Sequence, residues 1–170
     1  GSTSHFICQE LPINLYNLIR QHGHEINVLP YHESNSRLEP HTFQASIDFD
    51  WLEDAKKTIN VLGNESIDWV VVDHYNLDEQ WERSLRSTCN RLMVIDDLAN
   101  RPHDCDLLLD QGLHESSTNR YNDLVPMGCK LLLGPKHVLL QPSFENQPLR
   151  IRTGEVRHVF VFFGGNDQSN

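Results

Sequence analysis

The sequence predicts an α/β fold built on a doubly wound, mostly parallel sheet, with the chain truncated at both ends. Three observations carry this prediction. The strand-like segments are short continuous apolar runs, such as Val70-Val71-Val72 and Leu107-Leu108-Leu109, and runs of that kind belong to strands buried on both faces. Segments of helical period lie between several of these runs, and an order of strand, helix, strand, helix calls for right-handed crossovers in one sheet. The chain is also long enough for one buried core, since 170 residues with 38% hydrophobic and 22% charged side chains match an ordinary globular domain.

In order, the predicted strands are Ser4–Cys8, Ile26–Pro30, Trp69–Asp73, Leu92–Asp96, Asp106–Leu109, Lys130–Leu133 and Val156–Phe163. The first helix runs from Leu11 to Gln21, places Leu15, Leu18 and Ile19 on one face, and stops near Gly23, a residue suited to a helix C-terminus. A second helix spans Phe49–Gly63 with Leu52, Ala55, Ile59 and Leu62 on its apolar side, and a third spans Leu77–Cys89 with Trp81, Leu85 and Thr88. Residues 32–46, with Pro40, are expected to be a loop. Residues 146–155 carry Pro148, Gly154 and alternating charge, which suggests a linker. The organisation expected is therefore one domain over residues 1–146, a linker over 147–155, and the opening strand and Gly-rich turn of a second domain over 156–170. Gly1-Ser2 replaces an initiator Met and the chain ends just after Gly164-Gly165-Asn166-Asp167, so the native protein is expected to continue in both directions.

A net charge of −10 and an isoelectric point near 5.3 speak against nucleic acid or an anionic membrane as partner, because neither polyanion gains from meeting negative charge. A small molecule is the expected ligand, for a cytoplasmic monomer. Cys8, Cys89, Cys105 and Cys129 form no CxxC pair and lie in or beside apolar runs, which favours buried free thiols over disulfides or a metal site. No paired Cys/His spacing and no HExxH appear among the ten histidines, so neither metal nor cofactor is expected.

Ligands of open α/β sheets bind beyond the carboxyl ends of the strands. Three predicted strands run there into polar residues: into Asp73-His74-Tyr75-Asn76, into Asp96-Asp97, and into Asp110-Gln111. One Asp at a strand end decides nothing, since it also caps helices and satisfies loop amides. Three in succession mark a crevice if the strands are neighbours. Adjacent residues on extended chain face opposite ways, so one of Asp96 and Asp97 is expected to face it. Phe162-Phe163-Gly164-Gly165 is a weaker signal: a strand leading into two glycines lets backbone amides approach a diphosphate, and a plain turn explains it equally well.

The stretches Ile67–Tyr75, Trp81-Glu82 and Ile95–Asp106, the latter containing Asp96-Asp97-Leu98-Ala99 and Arg101-Pro102-His103-Asp104, resemble the UDP-2,4-diacetamido-2,4,6-trideoxy-β-L-altropyranose hydrolases of pseudaminic acid biosynthesis and related spore-coat polysaccharide proteins. Tyr121–Pro126, Leu132-Leu133-Gly134-Pro135, Leu139-Leu140, Phe144 and the Phe163–Asp167 turn continue the likeness. The resemblance implies a Rossmann-like N-terminal domain of a GT-B architecture, with sugar on this side and UDP on the second domain. The implied reaction is inverting, metal-independent attack of water on the anomeric carbon. Tyr75 then matches the active-site tyrosine. Asp73, Asp96, Asp97, Gln111, His137 and Gln141 are candidates for the sugar, and Gly164, Gly165, Asn166 and Asp167 for the nucleotide. The family's Gly-x-Gly-His loop has no counterpart here, because His22-Gly23-His24 follows a helix instead of a first strand. His137–Phe144 also departs from the family's Tyr-Ala-Leu-Leu-Arg-Pro-Glu-Phe, exchanging a cation and a carboxylate for neutral groups. A glycosyltransferase of the same architecture, or a non-catalytic sugar-binding module, fits the same residues.

Overall fold

Short apolar runs pair side by side in a computed structural model of the chain, which describes residues 4–9, 11–30, 49–114, 119–144, 154–156 and 158–159. The order is β1 (His5–Cys8), α1 (Ile13–Gln21), β2 (Glu25–Val28), α2 (Trp51–Leu62), β3 (Ile67–Val72), α3 (Glu79–Leu85), β4 (Cys89–Ile95), β5 (Leu107–Asp110) and β6 (Lys130–Leu133). Every strand pair is parallel, as the order of the apolar runs predicts, but burial on both faces does not hold throughout: Trp69 and Val71 of β3 and Val28 of β2 are exposed. The hydrogen-bonded ladders form two sheets, β1-β2 and β3-β4-β5-β6. Side chains tie the smaller sheet to the larger body: Ile7 packs against the main core, and Gln9 donates from Nε2 to Asp54 of α2 at 2.8 Å. The chain divides into two compact units, Gly1–Val138 and Leu139–Asn170, and all six strands belong to the first.

Local chemistry sets the helix limits. Asp50 caps α2 by accepting from the Glu53 N–H at 3.0 Å, with Glu53 and Asp54 in the first turn, and Gly63 closes the helix at a φ of 61°. Asp78 caps α3 through Gln80 at 2.9 Å, and Glu79 meets Arg83 one turn later at 2.7 Å. Both helices bury one stripe, Ala55, Thr58 and Leu62 from α2 and Trp81 and Leu85 from α3, against Val72, Leu92, Val94 and Leu108 of the sheet. Helix α1 differs from expectation. It has the predicted apolar spacing yet buries no residue, and Ile13, Leu15 and Leu18 remain exposed. Periodicity identifies a face, and a face is buried only where another element covers it.

After β4 the pattern of helical crossovers ends. Residues 96–106 link β4 to β5 without a helix, and no α-helix lies among the described residues of the β5–β6 connection. Ion pairs hold the first of these loops instead. Arg86, at the end of α3, donates from Nε to Asp104 at 3.1 Å and from Nη1 to Asp106 at 2.6 Å, while Asp106 also accepts from the Leu92 N–H at 2.8 Å. The predicted strand over 156–163 and the turn at Gly164, Gly165, Asn166 and Asp167 fall largely or wholly outside the described residues, of which Val156, His158 and Val159 are not in a strand.

Leu92 is fully buried and Leu113 is 86% exposed. Leu92→Ala should lower unfolding free energy by about 2–5 kcal/mol in urea titrations, and Leu113→Ala by about 0.5 kcal/mol or less. The Asp106 carboxyl lies below its ordinary 3.8: burial opposes the charge, and the Leu92 N–H with the Arg86 guanidinium outweighs it. As pH falls the unfolded chain binds this proton first, so the stability from the contact is whole above 3.8 and is lost as pH drops through the lower folded value. Urea midpoints taken from about pH 6 to about pH 2 should fall less for Asp106→Asn than for the parent chain.

Candidate functional site

Parallel strands deliver their following loops to one edge, and four loops meet at the carboxyl edge of β3-β4-β5-β6. Asp73 and Tyr75 follow β3, Asp96 and Asp97 follow β4, Asp110 ends β5 with Gln111 next, and His137 closes a 3₁₀ turn, Pro135–His137, just after β6. Gln141 belongs to the second unit, beside the 3₁₀ turn Pro142–Phe144.

Tyr75 and the carboxylates of Asp73, Asp96 and Asp97 lie within electrostatic reach of one another. The phenol hydrogen-bonds Asp97, and partial burial together with the charges of Asp97, Asp73 and Asp96 pushes its pKa up. At neutral pH Tyr75 is therefore an uncharged donor in an acidic setting. Asp73, Tyr75 and Asp97 are exposed, whereas Asp96 is 2% exposed. The two adjacent aspartates thus face different surroundings, one solvent and one core.

Asp96 joins three loops. Its Oδ1 accepts from Arg101 Nη1 at 2.8 Å, and its Oδ2 accepts from the Ala99 N–H at 2.9 Å and lies 3.0 Å from the Tyr121 hydroxyl. Arg101 carries the tie across to the β3 loop, donating from Nε to the Leu77 carbonyl at 2.8 Å and from Nη2 to the His74 carbonyl at 3.3 Å. The turn so made places Ala99 at a φ of 49°, left-handed backbone that costs a residue with a Cβ about 1–2 kcal/mol. Tyr121, fully buried, extends the tie to β5, with Asp110 Oδ2 at 3.2 Å. Burial and the two neighbouring carboxylates drive the Tyr121 pKa upward, so its single proton stays in place and serves one acceptor at a time. Asp110 is completed by Gly112 N–H at 2.9 Å, by His114 Nε2 at 3.2 Å and by Arg120 Nε at 3.5 Å. Arg120 also donates to the Asp97 carbonyl at 2.6 Å.

A second buried layer supports the first. Glu82 of α3 accepts from His103 Nδ1 at 2.7 Å and from the Asp104 N–H, with the Glu82 and His103 side chains wholly buried. A carboxylate only accepts, so Nδ1 carries the proton. His103 Nε2 has no hydrogen-bond partner and stands 4.0 Å from Asp96 Oδ1.

Sequence reasoning did not select Arg101, Tyr121, Glu82 or His103 for this edge. Glu82 had a usable signal, since it sits between Trp81 and Leu85 on the apolar stripe of α3, where a charge must find a buried partner. Arg101 and Tyr121 lie in the stretches that carry the family resemblance, but nothing local marks their roles: Tyr121 meets Asp96 across 25 residues and Arg101 meets the His74 and Leu77 carbonyls across 27 and 24. Among the described residues no group of three or more His, Cys, Asp or Glu side chains is placed to hold a metal ion. A recess of about 250 Å³ lined by Arg20, His24, Glu25, Ile26 and Asn27 contains none of these edge residues.

Arg101 is 14% exposed and the Asp96 carboxylate 0%, so removing one partner strands a buried charge. Arg101→Leu should cost about 3–5 kcal/mol in urea unfolding. Asp96→Asn combined with Arg101→Leu should cost less than the sum of the two single changes, and strict additivity in the cycle would refute the coupling.

No protein-family model matches the chain. A search of curated proteins finds similarity to the UDP-2,4-diacetamido-2,4,6-trideoxy-β-L-altropyranose hydrolase of Campylobacter jejuni, 26% identical over 119 residues. The match takes in 69% of this chain and 42% of that enzyme, so the chain spans less than half the length of its relative. The chain is thus an α/β protein with parallel sheets and a distant likeness to a nucleotide-sugar hydrolase.

Proposed function

We propose that the chain supplies the sugar-facing side of an enzyme that releases UDP from a UDP-linked diacetamido-trideoxy sugar. The observation carrying this reading is the neutral Tyr75 phenol set among Asp73, Asp96 and Asp97 at the carboxyl edge of a parallel sheet. Carboxylates accept from sugar hydroxyls and acetamido N–H groups and repel a diphosphate. Arg101 and Arg120, which hold Asp96 and Asp110 at this edge, are bound to those carboxylates and to backbone carbonyls. This edge therefore suits the uncharged sugar, and the diphosphate belongs elsewhere, on the reading with the Gly164, Gly165, Asn166 and Asp167 turn.

In this proposal water adds to the anomeric carbon as the bond from that carbon to the diphosphate oxygen breaks, with inversion and with UDP leaving. The passage through an oxocarbenium-like state favours nearby carboxylates, which stabilise positive charge on the ring. Asp73 and Asp97 take sugar donors, Tyr75 donates to the reacting end, and Gln111 and His137 complete the sugar contacts on this unit. Asp96 contributes from beneath by holding Ala99 and Arg101.

The test is UDP release by the complete native protein from the diacetamido-trideoxy UDP-sugar, with and without sugar acceptors. Release into water alone supports the proposal. Strict dependence on an acceptor would replace it with a glycosyltransferase, and binding without release would replace it with a sugar-binding module. Tyr75→Phe should lower kcat roughly 100-fold with little change in UDP affinity. Equal losses in kcat and UDP binding would place Tyr75 on the nucleotide instead.

A further inference from the structure

Two cysteines far apart in sequence meet outside the acidic edge. Cys105 lies two residues before β5 and Cys129 directly before its neighbour β6, and their Sγ atoms are 3.5 Å apart. The ladder that pairs Leu107 with Lys130 begins just beyond them, reinforced by Lys130 N–H donating to the Asp106 carbonyl at 2.9 Å, so both chain segments are held in register. Neighbouring strands stand about 4.8 Å apart, within the separation a disulfide spans. Cys105 is 2% exposed and Cys129 partly exposed, which gives the pair an inner and an outer member.

We propose that Cys105 and Cys129 form an oxidisable dithiol, closed to an intramolecular disulfide by a small-molecule disulfide of the glutathione class. Cys129 is the entering sulfur. The hydrogen bond from the Cys105 thiol lowers the Cys129 pKa against the effect of burial, while the same bond and burial raise that of Cys105. The Cys129 thiolate attacks one sulfur of the oxidant, forming a mixed disulfide and releasing one thiolate. Cys105 then gives up its proton and attacks the Cys129 sulfur, and the second half of the oxidant leaves as thiolate. The protein dithiol loses two electrons and two protons, and one oxidant disulfide becomes two thiols.

The bridge would close the loop that contains Asp110, His114, Arg120 and Tyr121, and so would staple the segment that carries one side of the acidic edge. Cys105 is also next to Asp104, which Arg86 and Glu82 hold. Oxidation therefore restrains this edge through Tyr121, which contacts Asp96 and Asp110, with no covalent change at Tyr75 or its carboxylates.

The folded, reduced chain is incubated in glutathione buffers from fully reduced to fully oxidised, quenched with acid, alkylated and digested for mass spectrometry. The expected result is a Cys105–Cys129 cross-linked peptide, a loss of about 2 Da from the intact chain, and an upward shift in Tm. Cys105→Ser, or Cys105→Ala if the buried serine unfolds the chain, should accumulate a glutathione adduct on Cys129. Cys129→Ser should leave Cys105 unmodified. Both thiols remaining alkylatable in fully oxidised buffer overturns the proposal, as does a cross-link that forms only in urea or an adduct that settles first on Cys105.

Discussion

The carboxyl edge of the larger sheet depends on one buried charge, the Asp96 carboxylate. It begins the loop after β4, and through Arg101 it holds the carbonyls of His74 and Leu77 in the loop after β3. Through Tyr121 it reaches the end of β5. A buried ion pair contributes little net stability, because the cost of removing both charges from water consumes most of the attraction. Its effect here is positional: each partner left alone would be costly, so the loops stay where both are satisfied. Ala99 is held in left-handed backbone by the same carboxylate.

Polar contacts also replace the helices that a βαβ repeat would place over β5 and β6. Arg86 clasps Asp104 and Asp106, and Glu82 clasps His103 and the Asp104 N–H, so an irregular loop is pinned at several points to α3. The charge left at the surface follows from this arrangement. Arg101 and Arg120 turn toward the buried carboxylates of Asp96 and Asp110, and Arg86 toward Asp104 and Asp106, while Asp73 and Asp97 stay exposed.

The β5–β6 connection has two supports of different chemistry. Tyr121 anchors it at the carboxyl end of β5, and the Cys105–Cys129 contact lies at the amino ends of β5 and β6. Both join residues that are distant along the chain, and a segment without an α-helix among its described residues takes its shape from such contacts.

Much of the fold was legible because its signals are local. Apolar runs such as Val70–Val72 and Leu107–Leu109 announced parallel strands, and Gly63 marked the end of the second helix. Asp73, Tyr75, Asp96 and Asp97 could be named because strand direction alone sends their loops to one edge. The sequence by itself thus determined strand order along the chain and the residues near each strand end, and it located three helices, the third longer than the helix that forms, since α3 stops at Leu85 and Cys89 already opens β4. Tertiary structure decided which aspartate turned inward, that α1 buries no residue, and that Arg101, Tyr121 and His103 bind Asp96 and Glu82 into one framework. These outcomes depend on partners 5 to 25 residues away in sequence, whose meeting is set by strand pairing and the need to neutralise buried charge.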